Sequence, residues 1–170
     1  VDVVRSLRVH GKGTDKYSNV RVGLNARMDT IQAAILLEKL CIYDDEIAAR
    51  QRVAEEYTRA LQKYCCQAID GGRLQLPVMP RHGRCVWAQF SIECDARDVA
   101  REALSRAGVP TAVYYPTPLH LLPPFADLGH STGHFPVAER ASYRIFSLPM
   151  HPYPGADSID LIAASLSKAV

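Results

Sequence analysis

Residues 23–40, GLNARMDTIQAAILLEKL, constrain this chain more than any other stretch. The second half reads as an amphipathic helix. Ile31, Ala34, Ile35, Leu36, Leu37 and Leu40 supply an apolar face, and Glu38 and Lys39 are left for solvent. Asp29 followed three residues later by Gln32 is a capping-box-like start, offering a side-chain acceptor to the free N–H groups. The first half is a polar loop that delivers Asn25 and Arg27 just ahead of the helix. An amide donor, a guanidinium able to bind bidentately and a helix N-terminus together suit a phosphate. The pattern N-x-R is short and common, so a turn-closing Asn25 and a solvated Arg27 are the alternative reading.

The rest of the composition narrows the class. With 170 residues, 48% of them hydrophobic and 22% charged, the chain can bury one core with a helical appendage. Its net charge of +2 gives no reason to expect a nucleic-acid or membrane-surface partner. No apolar run approaches the roughly 18–20 residues of a membrane span, and no charged start leads into an apolar signal core. Cys41, Cys65, Cys66, Cys85 and Cys94 form an odd set without C-x-x-C spacing, which reads as reduced thiols in a cytoplasmic protein.

In chain order, residues 1–12 read as the end of a helix closing at Gly11 and Gly13, and 13–22 as a polar loop in which Tyr17 and Arg21 could meet a ligand. Tyr43 to about Tyr64 is helical, with Ile47, Val53, Tyr57 and Leu61 on one side and charges on the other. Asp70-Gly71-Gly72 turns, and Pro77 and Pro80 extend the segment that follows. Arg84 to Cys94 alternates as a half-buried strand, with Val86, Ala88, Phe90, Ile92 and Cys94 sharing a face. Asp95 is placed to cap a helix ending at Gly108, and Pro110 to Tyr115 reads as a second strand. The proline-broken stretch Pro116–Pro136 is longer than a connection needs. A helix over Val137–Phe146, a strand over Ser147–Met150 and a helix capped at Asp157 or Ser158 complete the chain. Strands with helices packed on one face predict a small α+β unit.

Tyr114 and Tyr115 end the second predicted strand before Pro116. Neighbouring strand residues point to opposite faces, so at most one belongs in a core. The other presents a phenol suited to stacking on, and hydrogen-bonding, a sugar or a base. Two buried tyrosines satisfying local carbonyls are the alternative. His130 and His134 have i, i+4 spacing, but Gly129, Ser131, Thr132 and Gly133 argue against the helix that a zinc pair needs.

The run GLNARMDTIQAAILLEKL, with GVPTAVYYPTPLH and HFPVAERASYRIFSLPMHP following in order, resembles the DegT/DnrJ/StrS-type nucleotide-sugar aminotransferases, which depend on pyridoxal phosphate. The resemblance spans nearly the whole chain. It implies the fold-type-I architecture: a large α/β cofactor domain, then a small α+β C-terminal domain, paired as a homodimer with the active site at the interface. Here it implies an α+β chain in which 1–28 is the remnant of the large cofactor domain and active-site loop, 29–66 the connecting helices and 67–170 the small C-terminal domain. The family's Schiff-base lysine and cofactor-ring aspartate have no counterpart, since Lys12 and Lys16 stand too late and in the wrong context. No catalytic residue is therefore assigned.

By the same resemblance, Asn25 matches the asparagine that reaches across the dimer to the cofactor phosphate. Arg27 matches its neighbour near cofactor and nucleotide-sugar groups. Tyr114 and Tyr115 match a pair that contacts the nucleotide sugar, although histidine is commoner at the first position. Tyr114 keeps a hydrogen-bonding ring but not a group that titrates near neutrality. The implied reaction is transfer of an amino group, with glutamate as donor, to a keto nucleotide sugar in cell-surface polysaccharide or related biosynthesis. The implied partners are the nucleotide sugar, the amino-acid donor and a second copy of the chain, with no nucleic acid or membrane. The chain opens on Val1 and reads as a trimmed or partial enzyme, inactive alone and unable to hold the cofactor stably. Two alternatives are a non-catalytic module that dimerises or binds a nucleotide sugar, and a small zinc protein using His130, His134 and nearby cysteines.

Overall fold

The computed structural model describes residues 1–15, 17–79, 82–83, 85–155 and 157–170. Lys16, Pro80 and Arg84, which enter the reading above, lie outside the described residues. The chain divides into two units, Val1–Asp44 and Asp45–Val170.

In the first unit, helix α1 covers Asp2–Leu7. It is shorter than expected because the chain beyond it pairs with residues 19–26. Val9 bridges Asn25 and Lys12 bridges Asn19. The Leu24 N–H donates to Leu7 O at 2.8 Å, the His10 N–H to Leu24 O at 3.0 Å and the Ala26 N–H to Arg8 O at 2.9 Å. Glycine permits this approach. A Cβ on Gly23 would stand 2.1 Å from Gly11 N, and one on Gly11 would stand 1.7 Å from Arg21 O. Helix α2, Thr30–Cys41, is capped by Asp29 as expected, with its Oδ1 accepting the Ile31 N–H at 2.8 Å. Its apolar face is present, but the helix buries none of its residues. Ile31 is 72% exposed and Leu37 64%. Periodicity tells which face is apolar and not what covers it.

Helix α3, Tyr43–Tyr64, buries Ile47, Val53, Tyr57 and Leu61 as the spacing predicts, together with alanines between them. Helix α4 (Cys66–Asp70) leads to strand β1 (Leu74–Gln75), then β2 (Phe90–Cys94) and helix α5 (Arg97–Arg106). Two 3₁₀ turns, Leu119–Leu121 and Pro123–Leu128, precede helix α6 (Pro136–Arg144), strand β3 (Ile145–Leu148) and helix α7 (Ser158–Leu166). The sheet is antiparallel in the order β1-β2-β3, with Leu74 opposite Cys94 and Phe90 opposite Leu148. Phe90, Ile92 and Phe146 of the sheet share one core with Tyr57 and Leu61 of α3, Leu104 of α5 and Leu166 of α7. This is the α+β arrangement expected of the chain's second part.

Three local expectations give way. The alternation expected from Arg84 holds only from Phe90, because Trp87 sits at φ +50° and inverts the phase. Trp87 is therefore buried at 7% exposure while Val86 is 46% exposed. Pro110–Tyr115 is not a strand; its backbone joins the sheet at the isolated Ala112–Ser147 bridge. Asp95 does not cap α5, whose N-cap is Ala96. Its carboxylate instead takes Arg144 Nη2 at 3.1 Å. Near the C-terminus, the helix and strand boundaries fall one or two residues earlier than predicted. Pro136, which lacks an N–H, takes the first turn of α6.

Phe90 is fully buried and its ring stacks on Tyr57 at 4.9 Å and lies 5.5 Å from Trp87. Phe90→Ala is expected to cost about 3–5 kcal/mol, read as a lowered denaturant midpoint. Val99→Ala, at a 59% exposed position, serves as the near-neutral control. Equal effects of the two would contradict this core assignment.

Candidate functional site

The four expected site residues lie in different units, Asn25 and Arg27 in the first and Tyr114 and Tyr115 in the second. Asn25 is fixed by its backbone pairing with Val9, and the next residue is tied to Arg8. Both side chains are exposed, and Arg27 Nε donates to Asn25 Oδ1 at 3.0 Å. Neither makes another side-chain hydrogen bond among the described residues. This bond occupies one lone pair of the amide oxygen and leaves the amide NH₂ and the two guanidinium NH₂ groups as donors. A pair rich in unused donors and bearing a positive charge suits an anion. Asp29 already occupies the start of α2, so the anion-binding character rests on these two side chains and not on the helix end.

Tyr114 and Tyr115 are 53% and 74% exposed, so neither enters the core. The alternative of two buried tyrosines falls. The Ala112–Ser147 bridge anchors the segment they end, through N–H to O bonds of 3.2 and 2.8 Å. Tyr114 lines a cavity of about 230 Å³ with Gln89, Ala112, Ser147 and Met150. It also lines a smaller one of about 40 Å³ with Tyr115 and Ser91. Ser91 and Ser147, which line the smaller cavity, have their hydroxyls hydrogen-bonded at 2.8 Å. Gln89 and these hydroxyls add polar contacts that sequence reasoning did not single out. Their signal is the β2–β3 register, which cannot be read before the strands are paired.

A cavity of about 930 Å³ lies between α3 and residues 74–79 and takes in none of the expected site residues. Trp87 closes one part of it. Its Nε1–H donates to Gln51 Oε1 at 3.0 Å, and Gln51 Nε2 donates to Cys85 O. All five cysteines are free. Burial pushes the Cys65 thiol up to about 11 and raises Cys94 as well, which keeps both as inert protonated thiols. Among the described residues no group of three or more His, Cys, Asp or Glu is arranged to hold a metal ion. No helix among them is long and apolar enough to cross a membrane.

The sequence matches the model of the DegT/DnrJ/EryC1/StrS aminotransferase family over residues 1–167. The chain belongs to this family. Over 165 residues it is 40% identical to UDP-2-acetamido-2-deoxy-3-oxo-D-glucuronate aminotransferase of Pseudomonas aeruginosa, covering 97% of this chain and 43% of that protein. A crystal structure of a DegT DnrJ EryC1 StrS aminotransferase from Brucella abortus superposes with a TM-score of 0.81 at 42% identity, covering 97% of this chain and 42% of that one. The structure of ntda from Bacillus subtilis with bound cofactor PMP gives a TM-score of 0.76 at 25% identity, over 96% and 38% of the two chains. This family member thus spans about two fifths of the length of these relatives, and its fold is that of the corresponding part of an aminotransferase.

A polar cluster outside both constellations was also missed. Glu139, in α6, is buried and accepts the Gly133 N–H on both carboxylate oxygens at 2.9 Å and the Phe135 N–H at 3.2 Å. His120 Nε2 lies 3.1 Å from Oε1. The Gly133 N–H above all, with the other bonds, holds this carboxyl below the usual carboxylate range. A depressed value means the stabilisation is complete above the unfolded carboxyl pKa of about 4.3. It is lost as pH falls through the lower folded value. The stability gap between the native chain and its Glu139→Gln variant is therefore expected to be constant at pH 6–7 and to close below about pH 4. Urea titrations across that range measure it; a gap that widens in acid would contradict the assignment.

Proposed function

We propose that the chain is the C-terminal part of a pyridoxal-phosphate-dependent transaminase that passes an amino group, supplied by glutamate, to a keto nucleotide sugar. It serves cell-surface polysaccharide or related sugar biosynthesis and acts as a cytoplasmic homodimer. On this reading 1–28 is the tail of the cofactor domain with its active-site loop, 29–66 the connecting helices and 67–170 the small domain. The family membership supports the reaction class. The observation that carries the site is the exposed Asn25–Arg27 pair, in which Arg27 Nε is bonded to the amide oxygen and the amide NH₂ and two guanidinium NH₂ groups remain as donors.

Those residues fit a phosphate by the chemistry of their donors. Asn25 and Arg27 hold the cofactor phosphate, and Arg27 also neutralises charge beside the nucleotide sugar. Tyr114 and Tyr115, exposed at a small cavity, contact the nucleotide sugar, with the Tyr114 phenol acting as a hydrogen-bond partner. Bound pyridoxal phosphate supplies the electron sink for amino transfer, while this chain's residues bind, orient and neutralise. The lysine that anchors the cofactor belongs to a segment outside these 170 residues.

In a complete enzyme carrying that lysine, Asn25→Ala and Arg27→Ala are each expected to weaken cofactor binding about tenfold, or roughly 1.4 kcal/mol, measured by equilibrium dialysis. Tyr115→Phe is expected to raise KM for the nucleotide sugar several-fold at unchanged cofactor affinity. Cofactor affinity indifferent to both Asn25 and Arg27 would contradict the proposal, as would transamination by the 170-residue chain alone.

A further inference from the structure

Between Tyr115 and α6 no apolar side chain is fully buried, although Leu121 and Leu122 are half-buried. No residue from Tyr114 to Ala138 is buried, although Leu119, Phe125, Leu128 and Phe135 all fall in this stretch. A stretch of this length without core contacts is expected to sample many conformations. Among the described residues its attachment to a buried side chain is polar. The Glu139 carboxylate gathers the Gly133 and Phe135 N–H groups and His120, so that points thirteen residues apart in the loop meet on one side chain. The His120 and Glu139 side chains are only 9% and 12% exposed, and the Phe135 ring packs against His120 at 4.8 Å and His130 at 4.9 Å.

The helix that carries the carboxylate is itself tied down. The Ser142 carbonyl accepts Arg97 Nη1 at 2.6 Å, and Arg144 reaches Asp95 and the Gly72 carbonyl at 3.1 and 3.2 Å. On its other side the loop leaves Tyr115 three residues after the Ala112–Ser147 bridge. The exposed tyrosines thus sit between two fixed points, a backbone bridge before them and a carboxylate clasp after them.

We propose that Glu139 is the positioning residue of the Tyr114–Tyr115 ligand face: through His120, Gly133 and Phe135 it sets the course of loop 116–135 against the small domain. The part of this that concerns ligand binding rests on the nucleotide-sugar reading above. The clasp works because both carboxylate oxygens accept. Glu139→Gln turns one of them into an NH₂ donor facing the Gly133 N–H, which lies equally close to both oxygens.

The test uses the complete enzyme of which these 170 residues form part, with its Glu139→Gln, His120→Ala and His120→Gln variants. Amide hydrogen exchange is followed in peptides from 116–135 and from the sheet, and UDP-N-acetylglucosamine is the binding probe. Glu139→Gln is expected to speed exchange in the loop tenfold or more, to leave 90–94 and 145–148 unchanged and to weaken probe binding at least fivefold. His120→Ala is expected to act in the same direction, and His120→Gln, which still donates to the carboxylate, to restore protection. Unchanged loop exchange in Glu139→Gln would overturn the proposal. So would an equal rise in the sheet, which marks general destabilisation, or a loosened loop with probe affinity intact. If the unsubstituted enzyme itself ignores the probe, the nucleotide-sugar reading falls, and loop exchange with rescue by His120→Gln decides the clasp.

Discussion

The β2–β3 ladder is the constraint on which the second unit depends. Pairing Phe90 with Leu148 and Ile92 with Phe146 turns the large side chains of both strands toward α3, α5 and α7. The same register sets Ser91 opposite Ser147, whose backbone also takes Ala112 and so fixes the segment leading to Tyr114. A one-residue slip of β3 would turn Phe146 and Leu148 to the other face and carry the tyrosine segment away from the Ser91 hydroxyl. The core and the candidate ligand face are thus consequences of one pairing.

The first unit is built on a different principle. It has almost no buried side chain; Ser6 and Gly11 are its buried residues among those described. Backbone hydrogen bonds between 7–13 and 18–26, closed by the near contact of Gly11 with Gly23, give it its form. That suits the placing of a ligand group: Asn25 is set by main-chain pairing, and its side chain is free of core duties. It also leaves the apolar face of α2 uncovered within a chain that spans only part of its relatives' length.

Much of this was legible in the sequence where one local rule decided the outcome. The 3.6-residue period of Ile47, Val53, Tyr57 and Leu61 gave α3 and its buried side, and Asp29 marked the start of α2. The spacing of Asn25 and Arg27 ahead of that helix raised the phosphate reading before any contact between them was known. What stayed hidden depended on partners distant in sequence. Asp95 was read as a cap because Arg144 is 49 positions away. The left-handed backbone of Trp87, held where Arg50 Nη1 meets its carbonyl at 3.0 Å, cut the strand short against an alternation that looked continuous. Glu139 gave no signal because its partners are two main-chain amides and a histidine 19 residues upstream.

The central claim is that the Asn25–Arg27 pair grips a phosphate. It is tested most directly by a crystal structure of the complete enzyme with its cofactor bound. The account expects Asn25 Nδ2 and an Arg27 guanidinium nitrogen within about 3 Å of phosphate oxygens, and the phosphate held by an enzyme whose two subunits share the site. Both side chains turned into bulk water, with the phosphate satisfied entirely by other residues, would contradict it.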